Sequence, residues 1–350
     1  MAPPLEEVAD IVGSGGAVSD DDGSDVDIFA DPPGFYPPTP PPTTEKHALG
    51  RSGVQLTLHL VGHSALEAHR LWNGSRVLSD YLEEQQEQQE LQQQQQLQEQ
   101  QDPKENRLRE TPIIRGRTVL ELGAGAALPG IVCGLVLGAR RVVVTDYPDP
   151  DLVATMRKNI AEAEAGLSAQ PATQTTGQTA YAGSGTIVAD GYVWGADPTP
   201  ILAHLNDLGN PDGSSTRYDV MLLADLLFRH AEHSKMAYSV AQMLAQKPDS
   251  RAYVFFTSYR PWLRHKDLAF FADACAAGLV VEHLLERRLE RPPLFFKDDP
   301  GDVDVRSTVS GYSLRWPQPG EDPAAFWPPA GGADGAAETQ TDRPAQDRSA

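Results

Sequence analysis

The sequence predicts an α/β protein with a doubly wound, mostly parallel sheet of seven strands, and three observations carry this prediction. Apolar, strand-like runs alternate with helix-like segments between Thr118 and Ala277, which is typical of a parallel sheet covered by helices. The first run leads through a glycine turn into a helix, in TVLELGAGAALPG from Thr118 to Gly130. The last two strands, 279–289 and 308–316, have no long helix between them, so the final strand is expected to run antiparallel.

Each predicted element rests on its pattern of apolar residues. VQLTLHL (54–60) alternates apolar and polar side chains as a strand does, and RRVVVTD (140–146) is an apolar strand that ends in an acid. Over 149–165, Leu152, Met156 and Ile160 share one helix face. The strands of the sheet are predicted at 118–120, 140–146, 186–189, 218–228, 251–259, 279–289 and 308–316, and helices at 129–137, 149–165, 229–246 and 267–277.

The glycine turn is the first candidate binding element. Gly123 and Gly125 permit a tight backbone that a ligand can approach closely. Pro129 suits a first helical turn, whose free N–H groups face outward. The dinucleotide-binding fingerprint fits poorly, because it requires a third glycine and Gly125 is followed by Ala-Ala-Leu. A purely structural turn is the alternative interpretation of this motif taken alone.

Acidic residues follow the next strands. Asp146 ends the second strand of the sheet, where one carboxylate can accept hydrogen bonds from both hydroxyls of a ribose; the alternative is a strand-end cap in an Asp-Tyr-Pro turn. Asp190 and Trp194 follow the third strand, where they are expected to contact an adenine amine and ring, although Trp194 also suits a core position. Ala224 and Asp225 end the fourth strand, and the small alanine leaves room for a ligand.

Composition excludes several classes of function. The chain has 29 basic and 49 acidic residues, a net charge of −20, which argues against nucleic-acid binding and permits a basic protein partner. Cys133 and Cys275 lie in apolar helical patterns and are expected to be packed thiols. His230 and His233 indicate a polar helix start, because no third ligand completes a metal site. Without a signal peptide or an apolar run of about 18 residues, we expect a cytoplasmic protein.

The predicted domain lies between segments of biased composition. We expect a disordered tail at 1–27, a Pro-rich arm at 28–50, the folded domain at 51–316 and a disordered tail at 317–350. Phe29, Phe35 and Tyr36 are candidate anchors of the arm, and a stiff linker is the alternative. Low-complexity insertions are predicted at 85–101 and 167–184. The Gln-rich segment 85–101 has few apolar residues, so its removal is expected to leave the fold intact.

Five stretches together give a closer resemblance. DIFADPPGFYPPTPPPT, HRLWNGSRVLSDYL, TVLELGAGAALPG, DGYVWG and LLADLLFRHAEH resemble the fungal elongation factor methyltransferases of the nicotinamide-N-methyltransferase-like group, within the methyltransferase-like lysine methyltransferases. The resemblance spans roughly 28–316 and implies a Rossmann-like class I fold that uses S-adenosylmethionine. It also implies methylation of the N-terminal glycine amine and the adjacent lysine of translation elongation factor 1-alpha. We expect a monomer that binds no metal.

The resemblance also implies roles for single residues. Asp225 and Phe228 fall at the element that positions the acceptor amine. Glu121 and Asp190 are possible further cofactor contacts. A small-molecule amine or pyridine N-methyltransferase and a non-enzymatic scaffold are the alternative functions. The implied cofactor contacts are Trp72, Gly123, Ala124, Gly125, Asp146, Trp194 and Ala224.

Overall fold

A computed structural model of the protein describes residues 40–62, 64, 67–99, 111–168, 186–209, 217–290 and 301–327. All of them belong to one structural unit, Pro40–Ala350, and none to the unit Met1–Thr39. Several predicted features therefore lie outside the described residues. They are the tail 1–27, the candidate anchors Phe29, Phe35 and Tyr36, most of the insertion 167–184, and the tail beyond residue 327.

The strands are β1 (Thr43–Ala48), β2 (Gln55–Leu60), β3 (Thr118–Leu122), β4 (Arg141–Asp146), β5 (Thr186–Gly191), β6 (Val220–Ala224), β7 (Arg251–Thr257), β8 (Val280–Arg288) and β9 (Thr308–Arg315). The helices are α1 (Asn73–Glu99), α2 (Leu128–Ile131), α3 (Pro150–Ser168), α4 (Thr199–Ala203), α5 (His233–Met243), α6 (Arg264–Leu268), α7 (Phe270–Ala276) and α8 (Val303–Arg306). A turn of π-helix, Val132–Val136, extends α2. None of the described helices is long and apolar enough to span a membrane.

The main sheet has the strand order β5-β4-β3-β6-β7-β9-β8. Strands β3 to β7 run parallel, and β9 lies antiparallel to both of its neighbours, β7 and β8. The predicted seven-stranded, mostly parallel sheet with an antiparallel last strand is confirmed. The chain builds β3, β4 and β5 outward and then returns to place β6 beside β3. Open α/β sheets bind ligands at the carboxyl ends of strands where the order reverses in this way.

The central strands are apolar because helices bury both faces of the sheet. Val119 packs into a cluster with Leu78 and Leu82 of α1. Its neighbour in β3, Leu120, packs into a second cluster with Met236 of α5 and with α7. Adjacent residues of a strand point to opposite faces, so a strand buried on both faces has no polar alternation. This is the pattern from which the strands were predicted.

Strand β6 ends earlier than predicted. The sequence indicates a strand over 218–228, but β6 stops at Ala224. The next residue, Asp225, has a φ of 53°, which is left-handed and cannot continue a strand. Its backbone N–H still donates to the carbonyl of Phe255 on β7 at 2.8 Å. The chain therefore turns away from the sheet at the edge where ligands bind.

The folded domain begins before residue 51, so that part of the predicted boundary is wrong. Strand β1 lies inside the predicted arm and pairs antiparallel with β2. The turn of this hairpin is held by Glu83 of α1, whose carboxylate accepts from the backbone N–H groups of Arg51 at 2.8 Å and Ser52 at 2.9 Å. The prolines before β1 obscure this strand in the composition. The contact that holds its hairpin comes from Glu83, which is 31 and 32 residues further along the chain than the two residues that it binds.

Asn159 of α3 joins the hairpin to the glycine turn. Its side-chain oxygen accepts from the backbone N–H of His59 on β2 at 2.7 Å. Its amide nitrogen donates to the carbonyls of His59 at 3.0 Å and Ala126 at 3.1 Å. The side chain is fully buried, and buried polar groups of this kind stabilise only when they are paired. The small sheet is thereby fastened beside the predicted binding turn.

The expectation that the Gln-rich segment buries nothing is wrong for its first turns. Helix α1 continues through it to Glu99. Gln86 is only 3% exposed; its side chain donates to the carbonyl of Leu137 at 3.1 Å and accepts from the N–H of Arg115 at 3.0 Å. Gln89 accepts from the N–H of Ile113 at 3.2 Å. These amides satisfy backbone groups of the segments that enter β3 and β4, a role that composition does not reveal.

The predicted C-terminal disorder is also corrected, as far as residue 327. Buried Arg315 at the end of β9 pairs with Glu282 of β8 and, through two nitrogens, with Glu321 at 2.6 and 3.0 Å. The ring of Trp327 packs 4.8 Å from that of Phe271. The bidentate contact of Arg315 with Glu321 and the packing of Trp327 thus hold the segment 317–327, which is rich in proline and acidic residues.

The buried amide of Gln86 yields a stability prediction. Gln86→Ala leaves the carbonyl of Leu137 and the N–H of Arg115 without their partner, so the free energy of unfolding should fall by about 1–3 kcal/mol. Gln92→Ala on the exposed side of the same helix is the matched control and should change it little. Urea denaturation measures both variants. Equal stability of the two variants would show that the Gln86 contacts contribute nothing.

Candidate active site

The glycine turn after β3 presents open backbone to a ligand. Gly125 has a φ of 52°, and a Cβ built there would meet no atom within 4 Å. Gly123 has a φ of 60°, and a Cβ there would lie 2.5 Å from Leu226 Cδ2. The left-handed conformation favours glycine at both positions, and at Gly123 close packing against the loop after β6 leaves no room for a Cβ.

A cavity of about 280 Å³ lies beside this turn, at the carboxyl edge of the sheet. Its walls come from the segment that enters α1, the glycine turn, the end of β4, and the chain that follows β5 and β6. The predicted site residues that line it are Trp72, Glu121, Gly123, Ala124, Gly125, Asp146, Trp194, Ala224, Asp225 and Phe228. The structure thus brings together residues that are up to about 150 positions apart in the sequence.

Asp146 ends β4 with its carboxylate in the cavity wall. One oxygen accepts from the N–H of Gly125 at 2.7 Å, and the other accepts from the N–H of Tyr147 at 2.7 Å. Burial raises the pKa of this carboxyl group, and the two backbone hydrogen bonds partly oppose that effect. Asp146 therefore also fixes the glycine turn against the neighbouring strand.

Glu121, near the end of β3, is the most deeply buried acid in the cavity wall, with 1% of its surface exposed. Its carboxylate accepts from the N–H of Gly130 in α2 at 2.9 Å. Burial raises the pKa of Glu121 to about 8; the hydrogen bond from Gly130 lowers it, and the nearby charge of Asp146 raises it further. A Cβ at position 130 would lie 2.8 Å from this carboxylate, so glycine is needed there for the contact.

Two tryptophans form parts of the wall. The indole N–H of Trp72 donates to the carbonyl of Glu67 at 2.9 Å, and its ring lies 4.9 Å from Tyr259 and 6.3 Å from Phe228. Trp194 lies beside Gly123, where a Cβ would meet it at 3.2 Å. The loop that carries Trp194 is tied to α5, because the N–H of Gly195 donates to Ser239 Oγ at 2.8 Å.

Asp225 lies at the end of β6 and is only 4% exposed. One carboxylate oxygen accepts from the N–H of Gly74 in α1, and the other accepts from the N–H of Thr257 in β7 at 2.8 Å. Burial raises the pKa of Asp225 to about 7; the two backbone hydrogen bonds lower it, and Asp267 raises it. The side chain therefore holds two elements together as well as lining the cavity.

The contact predicted between Asp190 and the adenine amine stays a prediction, and in the structure other protein groups engage its carboxylate. Its carboxylate accepts from the N–H of Gly191 at 2.8 Å and lies 2.8 Å from His204 Nε2. It is not among the residues that line the cavity in the described part of the chain. Asp190 lies within β5, and His204, directly after α4, reaches back to its carboxylate. The following residues, Tyr192 to Trp194, line the cavity instead.

Several lining residues were not predicted. Tyr147 and Tyr192 each lie one or two positions after a predicted acid, so an aromatic residue following the strand-end acid is a usable signal. Five further ones are charged and lie around the cavity on loops and helix ends: Glu67, Arg70, Arg229, Glu232 and Lys235. No sequence pattern marks them, because their position depends on how α1 and α5 pack against the sheet.

These residues fit S-adenosylmethionine. The open backbone at Gly125, the carboxylate of Asp146 in the wall, and the rings of Trp72 and Trp194 offer partners for its polar groups and for its adenine ring. The strand order and the glycine turn, with acids at the ends of β3 and β4, define a class I S-adenosylmethionine-dependent methyltransferase.

Comparison with known proteins narrows this class. Residues 55–176 match the family model described as lysine methyltransferase. Three similar proteins are all named protein N-terminal and lysine N-methyltransferase efm7 or EFM7. The Neurospora crassa protein is 46% identical, over 88% of this chain and 95% of its own. The Gibberella zeae protein is 42% identical, over 83% and 94%, and the Schizosaccharomyces pombe protein is 33% identical, over 86% and 100%.

The chain belongs to the family of protein N-terminal and lysine N-methyltransferases. It is an S-adenosylmethionine-dependent enzyme that methylates protein. This confirms the family indicated by the five sequence stretches, as well as the predicted enzyme class and cofactor.

The buried acid Glu121 predicts how stability depends on pH. Its folded pKa of about 8 lies above the ordinary value of 4.5, so the folded protein keeps this proton after the unfolded chain has lost it. The stability that Glu121 contributes is complete below about pH 4.5 and is lost as the pH rises through about 8. Glu121→Gln cannot titrate, so its melting temperature should fall less steeply than that of the wild type between about pH 5 and 9.

Scanning calorimetry across this range tests the prediction. Some slope should remain in Glu121→Gln, because Asp225 has its own raised pKa of about 7. Glu164→Gln, on the exposed face of α3, is the control and should follow the wild type. Superimposable profiles for Glu121→Gln and the wild type would show that Glu121 titrates as an ordinary carboxyl group.

Proposed function

We propose that this enzyme methylates the N-terminal glycine amine and the adjacent lysine of translation elongation factor 1-alpha, as a monomer in the cytoplasm. The observation that carries the proposal is the run of relatives named for N-terminal and lysine methylation, at 33–46% identity over most of both chains. The elongation factor as the target rests on the five stretches that resemble the fungal elongation factor methyltransferases.

The cofactor roles follow from the cavity wall. Asp146 accepts the ribose hydroxyls, the turn from Gly123 to Gly125 cradles the methionine portion, and Trp72 covers it. Trp194 packs beside the adenine ring, and the small side chain of Ala224 leaves room at the end of β6. These residues all line the cavity, which supports the assignment. When bound, S-adenosylmethionine supplies a methyl group already activated by a sulfonium, so the protein contributes mainly positioning.

Asp225 and Phe228 position the acceptor. Both oxygens of Asp225 accept backbone hydrogen bonds, and their remaining lone pairs can accept N–H groups of an amine. Phe228, Trp72 and Tyr259 form an aromatic wall next to it, a surface that favours a cationic group during entry. The amine must lose a proton to react. An α-amine with a pKa near 8 does so more readily than a lysine near 10.4.

The charged surroundings of the cavity favour a protein acceptor over a small pyridine. Glu67, Arg70, Arg229, Glu232 and Lys235 all line the cavity. A flat neutral ring gains nothing from five charged side chains, whereas a peptide offers an ammonium group, a backbone and further side chains to them. The conformation of the glycine turn and the buried Asp146 likewise argue against a scaffold without activity.

The assignment of Asp146 can be tested by cofactor binding. Asp146→Asn loses the negative charge that accepts the ribose hydroxyls, so affinity for S-adenosylmethionine should fall by about 1.5–3 kcal/mol. Asp151→Asn, on the exposed first turn of α3, removes the same charge nearby and should bind as the wild type does. Isothermal titration calorimetry measures both. An unchanged affinity in a folded Asp146→Asn protein would remove this residue from the cofactor site.

The target is tested with purified translation elongation factor 1-alpha and labelled S-adenosylmethionine. We expect label on the N-terminal glycine and on the adjacent lysine. The rate on the glycine should rise with pH toward about 8, because the neutral amine is the nucleophile. Acetylation of the substrate N-terminus should abolish N-terminal labelling, and mass spectrometry locates the label. Labelling of a free pyridine or small amine, with none on the elongation factor, would reject the proposed target.

A further inference from the structure

The loop between β6 and α5 is bound to two other elements through a buried acid. His230 Nε2 lies 2.7 Å from Asp267 Oδ1 on α6. Ser258 Oγ, which follows β7, donates to Asp267 Oδ2 at 2.7 Å. Ser258 and Asp267 are buried, whereas His230 is partly exposed. The three residues, named the histidine clamp below, connect the end of β7, helix α6 and this loop.

His233 secures the same loop from inside. Its Nε2 donates to the carbonyl of Leu227 at 2.7 Å, which fixes the proton on that nitrogen. Burial lowers the pKa of His233, so the ring is kept neutral. The ring packs edge-on against His230 and against Phe270 of α7, both at 5.6 Å. His233 thus ties the start of the loop, at Leu227, to α5, and His230 ties the middle of the loop to α6.

The loop held in this way carries the acceptor end of the cavity. Phe228 and Arg229, directly before His230, both line the cavity. The ring of Phe228 lies 6.3 Å from that of Trp72, which also lines the cavity. Most of the cofactor end is built from other elements, namely the glycine turn, the end of β4 and the loop that carries Trp194, although Leu226 at the start of the β6–α5 loop packs against Gly123. A displacement confined to Phe228 and Arg229 would therefore alter the acceptor end more than the cofactor end.

The acid in the middle of the clamp needs its partners. Asp267 is 6% exposed, and a buried carboxylate is stable only when hydrogen-bond donors satisfy it. Ser258 satisfies one oxygen and His230 the other. Removing His230 leaves the buried acid with an unpaired oxygen, which draws solvent or a rearranged loop toward it.

We propose that His230, Asp267 and Ser258 are positioning residues for the acceptor amine, which act by holding Phe228 and Arg229 against the methyl-transfer site. The proposal rests on the proposed function, because it assigns these residues to the acceptor of that same reaction. It predicts that the histidine clamp affects the two substrates differently. Loss of the clamp should lower kcat/KM for the protein acceptor and should leave the binding of S-adenosylmethionine unchanged.

The test compares three substitutions in the full-length enzyme. His230→Ala removes the donor to Asp267, His230→Gln restores an N–H at a similar reach, and His265→Ala removes an exposed histidine of α6 as the matched control. For His230→Ala we expect kcat/KM for the protein acceptor to fall about 10–100-fold, since small misplacements of reacting groups cost this much. The KM and Kd for S-adenosylmethionine should stay within about twofold of the wild type. His230→Gln should recover most of the loss, and His265→Ala should behave as the wild type.

The wild-type enzyme is first assayed on translation elongation factor 1-alpha. If it labels a different protein of a cell lysate, the proposed target is rejected, and the clamp is judged on the protein that is labelled. Equal activity of His230→Ala and the wild type would overturn the clamp. So would a fall in cofactor affinity parallel to the fall in activity, or a His230→Gln variant no better than His230→Ala.

Discussion

The arrangement of the site depends on one buried carboxylate, that of Asp225. It accepts backbone hydrogen bonds from Gly74 at the start of α1 and from Thr257 at the end of β7. Its positive φ turns the chain away from β6 toward the cavity. Trp72 lies two residues before the first contact, and Phe228 lies three residues after the carboxylate, so one side chain sets the distance between these two rings. Gly74 permits the contact because a Cβ there would lie 2.5 Å from the carboxylate.

Three buried acids share the edge of the sheet, and backbone N–H groups hold all of them. Glu121 accepts from Gly130, Asp146 from Gly125 and Tyr147, and Asp225 from two further amides. Burial raises the pKa of each. Backbone donors satisfy these carboxyl groups without a paired cationic side chain. S-adenosylmethionine and a protonated amine both carry positive charge, and the same hydrogen bonds make the loops rigid.

The Gln-rich helix and the Pro-rich C-terminal segment show how composition can mislead. Both have few apolar residues, yet Gln86 is buried and residues 317–327 are anchored by Arg315 and Trp327. A glutamine carries both a donor and an acceptor, so it can satisfy a carbonyl and an N–H that enter a sheet together. A buried side-chain amide in this position contributes to the fold as a buried leucine would. Only its surroundings distinguish Gln86 from the solvated glutamines of the same helix.

The sequence by itself determined the class of fold and the part of the cavity wall that lies at the strand ends. Apolar periodicity, the turn at Gly123 and Gly125, and acids at strand ends are local properties, and parallel strands bring their carboxyl ends to one edge whatever the loops do. The tertiary structure decided which polar groups meet across that edge. In the tertiary structure, Asp190 forms a hydrogen bond with His204, and His230 forms one with Asp267. The tertiary structure also left the carboxylate of Asp225 shared between α1 and β7. Such pairs depend on where helices distant in sequence pass the strand ends, and packing of the whole chain, rather than any local pattern, sets those positions.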